Sequence, residues 1–201
     1  MAANVADCML LTYRGQYSTC QIQVPDVDGK LGAVEIGGLY YSCFQKLENA
    51  DKTLRVLTKL TESGDRVALT TTSRSYLIWV FESEARLVVR QRPARRPAIP
   101  THPPARCLLL PKLSSPMLQP VMLPDSTQPV MALHHHQGFY SLHRQQLTAA
   151  AAMELGAKLV WRGNTIAIAP MREAYAVFIE EPEAAPAPAT PAMAPEQEPQ
   201  T

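Results

Sequence analysis

The sequence predicts an α+β protein: two tandem copies of a small antiparallel sheet, each covered by one helix, in the order β-β-β-β-α-β-β. Three observations carry this. First, the chain repeats itself at a constant offset of 99 positions, from Cys8 onto Cys107. The same shift lays Pro25-Asp26 on Pro124-Asp125, Tyr41-Ser42 on Tyr140-Ser141, Lys59-Leu60 on Lys158-Leu159, Gly64 on Gly163 and Tyr76 on Tyr175, with no gap. A fixed period of this kind is the mark of a duplicated structural unit. Second, the first copy holds one segment of 3.6-residue apolar periodicity, and the second has a helix-favouring alanine run, Ala149–Ala152, in the same place. Third, the remaining apolar segments are short, rich in β-formers and bounded by turn residues.

In the first copy, Met9–Tyr13 is short and apolar, and Cys20–Val24 alternates with period two, so one of its faces is wet. Pro25-Asp26 ends that strand. Gly32–Ile36 reads as a third strand, Gly37-Gly38 as a turn, and Leu39–Phe44 as a fourth strand. The helix spans Glu48–Glu62, with Ala50, Leu54, Leu57 and Thr61 on one face and Gly64 just past its end. Its counterpart runs from Thr148 to Trp161 before Gly163. Arg66–Thr71, a turn over Ser73-Arg74, and Tyr76–Glu82 close the copy, with Val67 and Leu69 inward and Ile166 and Ile168 as their equivalents. The expected boundaries are repeat one at 8–85, a Pro/Arg-rich linker at 86–106, repeat two at 107–184 and a disordered Pro/Ala/Glu tail at 185–201. Domains this small bury about 60% of their unfolded surface, so the copies are expected to pack on each other.

Comparing the copies sorts the last strand into two faces. Tyr76, Ile78 and Val80 become Tyr175, Val177 and Ile179, which keeps the character of a core face. Leu77, Trp79 and Phe81 become Ala176, Phe178 and Glu180. A strand apolar on both faces is covered on both, by other elements of copy one, by the second copy or by another protein; Leu77, Trp79 and Phe81 are the candidate contact for such a protein.

Composition excludes several classes. The 201 residues are 46% hydrophobic with a formal net charge of +1, which argues against a globally basic nucleic-acid binder. Cys8, Cys20, Cys43 and Cys107 form no C-x-x-C pair and read as small buried hydrophobes in a reducing compartment. The first residues lack a basic-then-apolar signal, and no apolar run approaches the ~18 residues of a membrane span. A cytoplasmic location is expected, with peripheral attachment to the cytoplasmic face of a membrane as the alternative.

The linker holds Arg86, Arg90, Arg92, Arg95, Arg96 and Arg106 with no acidic residue among them. Guanidinium forks match phosphates and carboxylates, so these six are the candidate anion-binding residues, for nucleic acid or an anionic membrane surface. No aromatic is interleaved for base stacking. His134-His135-His136 and nearby His143 are the metal suspects, with His134 and His136 on the same side of a strand. Copy one has Glu35-Ile36-Gly37 at the matching places, so a solvated run is the plainer reading and no metal or other cofactor is expected. Glu82, Glu84, Glu181 and Glu183 read as solvated carboxylates at strand exits. P-loop, G-x-G-x-x-G, G-x-S-x-G and H-E-x-x-H motifs do not occur. The expected function is a non-catalytic tandem-domain adaptor that binds another protein. The alternative is a binder of nucleic acid or an anionic membrane surface through the arginine linker.

At Leu39-Tyr40-Tyr41-Ser42, Gly64-Asp65-Arg66-Val67 and Tyr76–Glu82, and again at Trp161-Arg162-Gly163-Asn164 and Glu181-Pro182-Glu183-Ala184, the chain resembles small uncharacterised cyanobacterial proteins. Their pattern is G-x-Y-Y-S, then R-G-D/N-x-V, then Y-x-I-W-V-x-E-P-E-A. The resemblance covers both copies and implies a photosynthetic bacterial cell, with a thylakoid-surface location compatible with it. It implies no activity. The order strand, helix, strand, strand also resembles part of a peptidoglycan-binding SPOR domain, which works outside the inner membrane; the missing export signal argues against that.

Overall fold

A computed structural model describes residues 8–12, 14–90, 105–136 and 138–188. Its strands join into one 14-stranded mixed sheet, not the two small sheets expected, each under its own helix. In chain order the strands are β1 (Cys8–Leu11), β2 (Ser18–Gln23), β3 (Leu31–Ile36), β4 (Leu39–Leu47), β5 (Val67–Thr71), β6 (Tyr76–Phe81) and β7 (Arg86–Arg90). They continue as β8 (Cys107–Leu109), β9 (Leu118–Met122), β10 (Val130–His135), β11 (Gly138–Leu147), β12 (Ile166–Pro170), β13 (Tyr175–Glu180) and β14 (Ala185–Pro186). Helix α1 (Ala50–Glu62) follows β4 and helix α2 (Ala149–Trp161) follows β11.

Across the sheet the order is β14-β9-β10-β11-β13-β12-β8-β1-β5-β6-β4-β3-β2-β7. Outward from the β8–β1 seam, both sides run through equivalent strands. The seam corrects the expected architecture. β1 and β8 are apolar on both faces, and at a free edge each would leave backbone groups unpaired. They pair antiparallel instead, Cys8 opposite Cys107, and fuse the two halves. β1 lies parallel to β5, and β8 parallel to β12, which makes the sheet mixed.

The helices bridge the seam. α1 touches β8 of the second half and α2 touches β1 of the first, and the helices touch each other. One core cluster therefore draws on both halves, including Leu10, Leu54, Leu57, Val67 and Ile78 together with Leu109, Met153, Ala157, Ile166 and Val177. Gly156 lets α2 approach closely: a Cβ there would lie 2.9 Å from Ile166 Cδ1, 3.1 Å from Leu10 Cδ1 and 3.2 Å from Ile168 Cδ1.

Local chemistry sets the helix ends. Asn49 accepts from the Lys52 amide at 2.8 Å, and Thr148 accepts from the Ala151 amide at 3.2 Å, so each satisfies an orphan donor of the first turn. Gly64 and Gly163 both take φ +89°, the left-handed turn that glycine enters without a Cβ penalty.

The face away from the helices is covered by the chain's own loops. Leu11, Val34, Tyr41, Ala68 and Trp79 form a cluster with Tyr17 packed on it. Leu108, Leu110, Leu133, Tyr140 and Phe178 form its counterpart under Leu113 and Met117. Two segments differ from the expected boundaries. Arg86–Arg90 precedes the first linker proline and pairs with β2 as an edge strand. Ala185–Pro186, at the start of the expected disordered tail, pairs with β9.

Candidate functional site

The expected partner-binding face is largely inside the molecule. Trp79 is 8% exposed, and its indole N–H donates to Thr70 Oγ1 at 2.8 Å. That bond satisfies the one polar atom of the ring and leaves the indole little surface for a partner. Leu77 and Phe81 are half-buried against the same cluster. Phe81 lies 5.5 Å from the Tyr41 ring, and the Arg66 guanidinium sits over it at 4.7 Å. Burial pushes the Tyr41 phenol pKa up, and nearby Arg66 partly offsets this.

The arginines disperse. Arg86 and Arg90 end β7, and the Arg86 side chain is exposed. Arg106 is exposed just before β8, and its carbonyl accepts from the Ile166 amide. Arg92, Arg95 and Arg96 lie outside the described residues.

The histidines do not converge. His134 stacks on Phe139 with ring centroids 4.9 Å apart, and its Nδ1 lies 3.3 Å from Gln119 Nε2. Among the described residues His135 Nε2 is buried with no hydrogen-bond partner, and the ring meets His136 edge-on at 4.2 Å. Burial, and then the charges of His136 and His134, lower its pKa. His136 occupies the hairpin turn at φ +53°, and His143 is exposed at a bulge of β11. Among the described residues no three His, Cys, Asp or Glu side chains are placed to hold a metal ion.

Glu82 and Glu181, expected to be solvated, are instead tied to neighbouring strands. Ser42 donates to Glu82 and Ser141 to Glu181, each at 2.5 Å. The backbone repeats the tie, with the Glu82 amide on the Tyr40 carbonyl and the Glu181 amide on the Phe139 carbonyl. The serine hydroxyl donates its proton to the carboxylate in both places, so the pairs fasten the ends of β6 and β13.

The feature that sequence reasoning missed is an open groove of about 630 Å³ between α1 and the ends of the second half's strands. Buried Leu54, Leu109, Leu110 and Ile168 close its floor, and its accessible apolar surface comes from Pro111, Pro170 and Met171. Its rim is charged. Asp51, Arg55, Lys59 and Glu62 line the α1 side, while Arg172 and Glu173, from the β12–β13 turn, line the other. The spacing of the α1 residues is a helical stripe, which from sequence alone reads as an ordinary wet face. Tyr175 joins the walls: it lines the groove with Asp51 and Arg55, and both act on its phenol across the junction of the halves. Burial raises the phenol pKa most, Asp51 raises it further, and Arg55 pulls the other way. Only the three-dimensional meeting of α1 with β12 and β13 exposes this site.

No family model, no curated protein and no solved structure matches the chain. No helix among the described residues is long and apolar enough to cross a membrane.

Proposed function

We propose that the protein is a non-catalytic adaptor that binds another protein in the groove between α1 and the second half of the sheet. The observation that carries this reading is the groove's anatomy: exposed Pro111 and Met171 within a rim of both charge signs. Protein interfaces have this arrangement, because the centre gains from desolvation while the charged margin sets register and excludes mismatched partners. A partner lying there contacts both halves at once, since Arg55 and Lys59 come from one and Arg172 and Tyr175 from the other. The rim mixes cations with Asp51, Glu62 and Glu173, which favours a protein segment over a polyanion.

The test is photo-crosslinking in the native cell. A photoreactive residue replaces Thr58, in the groove, or Lys46, on β4 away from it. A discrete crosslinked protein is expected from position 58 alone and should disappear when Arg55→Glu and Lys59→Glu are introduced. Identical products from both positions, or products insensitive to the charge reversal, would remove the groove from consideration. Crosslinking to RNA would favour the polyanion alternative.

A further inference from the structure

We infer that the free edge of β7 is a docking strand for an extended segment of another protein, apolar in its middle and acidic at its ends. This site is separate from the groove, so it stands or falls independently of that reading. Among the described residues β7 is the last strand on its side of the sheet and is bonded only to β2. Its middle residues are open: Leu87 is 38% exposed, Val88 37% and Val89 44%. An edge strand with unpaired backbone and apolar side chains is a template for strand addition, and proteins normally blunt such edges.

The opposite edge shows how that blunting is done. Under the 99-residue shift, Arg86, Leu87, Val88 and Val89 fall on Ala185, Pro186, Ala187 and Pro188. β14 is two residues long and ends on a proline, which has no amide to give to a further strand. β7 has five residues and no proline.

Charge selects the occupant. The strand reads Arg-Leu-Val-Val-Arg, β2 beside it has no charged residue, and no acid occurs from Arg86 to Arg106. Glu84, in the turn before β7, is the nearest acid in sequence. A second copy is disfavoured, because an antiparallel β7–β7 pair centred on Val88 sets Arg86 opposite Arg90, and like charges directly opposed are destabilising. The chain's own terminus is a poor donor, since Pro191, Pro195 and Pro199 interrupt it at every fourth residue. What fits is a short strand with a carboxylate near each end, whose amides pair with β7 and whose charges meet the arginines.

The test uses the full chain and two fluorescent seven-residue peptides, alternating valine and threonine between terminal glutamates or terminal lysines. The glutamate peptide should bind at least about tenfold more tightly than the lysine peptide by anisotropy, weaken with salt, and protect β7 amides from hydrogen exchange. Val88→Pro should abolish binding. The double variant Arg86→Glu, Arg90→Glu, which keeps every backbone amide of β7, should reverse the preference and decides the matter even where the proline variant misfolds. Arg55→Glu, in the groove, should leave peptide binding unchanged. Equal affinity for both peptides, binding without β7 protection, or displacement by an oligouridylate would overturn the inference. So would a dimer, seen by analytical ultracentrifugation, that dissociates in the charge-reversed variant.

Discussion

Replacing Leu57 with alanine tests whether the two halves share one core. Leu57 lies on α1, is fully buried, and belongs to the cluster that includes Leu109, Met153 and Ile166 of the second half. Removing its isobutyl group into a packed interior costs about 3 kcal/mol, the transfer loss plus the cavity left behind. With a urea dependence of about 3 kcal/mol per molar, the midpoint should fall by about 1 M. The chain carries its own reporters: its two tryptophans are Trp79 in β6 and Trp161 at the end of α2, one in each half. Trp161→Phe leaves fluorescence reporting the first half, and Trp79→Phe leaves it reporting the second. Because the core crosses the β1–β8 seam, Leu57→Ala should shift both transitions by the same amount, and in each background fluorescence should coincide with circular dichroism. A shift confined to the Trp79 signal would mean that the halves unfold separately, and the shared core would carry no energetic weight.

Three further outcomes follow from single contacts. Thr70→Val removes the acceptor of the Trp79 indole at almost constant volume and should cost about 1–3 kcal/mol, because the buried N–H is left unpaired; a change below about 0.5 kcal/mol in urea unfolding would show that water reaches the ring. Gly156→Ala adds a methyl against Leu10, Ile166 and Ile168, each at most 2% exposed, so the overpacking should outweigh the helix-propensity gain of about 1 kcal/mol and lower the melting temperature. The His135 pKa is held below its ordinary 6.5 by burial and by His136 and His134, so the folded state disfavours the charged ring. Below about pH 6.5 the unfolded chain then takes up a proton that the folded chain does not. Stability should be flat above that pH and fall as pH drops toward the folded value, and His135→Gln should flatten the fall; an unchanged slope would place the titration elsewhere.

Local elements were legible in the sequence because their causes are local. Asn49 and Gly64 bracket α1, Thr148 and Gly163 bracket α2, and the alternation in Cys20–Val24 marks β2, all within a few residues of the structure they specify. Sheet closure was not legible. Cys8–Leu11 and Cys107–Leu109 are short apolar runs, and nothing in them says whether the neighbouring strand belongs to the same half or the other. The strand β7 was hidden by its surroundings: Arg86–Arg90 begins a proline- and arginine-rich stretch, yet its own Leu-Val-Val core is β-forming. Trp79 misled for a related reason. A strand apolar on both faces announces cover on both, and on this face the cover is the chain's own: Trp79 clusters with Leu11, Val34 and Tyr41 of the same half, and Tyr17 packs on them.

The groove arises from divergence between positions that the repeat makes equivalent. Asp51 and Arg55 of α1 fall on Ala150 and Glu154 of α2. Glu154 turns to Lys158 on its own helix, 2.6 Å away, a surface pair that contributes little to stability. Arg55 and Asp51 instead share the groove wall with Tyr175 of the other half and act on its phenol. The buried face of α2 is built from Ala149, Ala152, Gly156 and Ala157 beside Met153 and Leu159, and its small residues permit close approach to the sheet. α1 buries Thr53, Leu54, Leu57 and Thr61, and keeps a charged stripe where it meets the second half. The same element in the same setting thus serves as packing in one half and as the wall of a groove in the other, and if the proposed partner binds there the differences between the halves should carry the specificity.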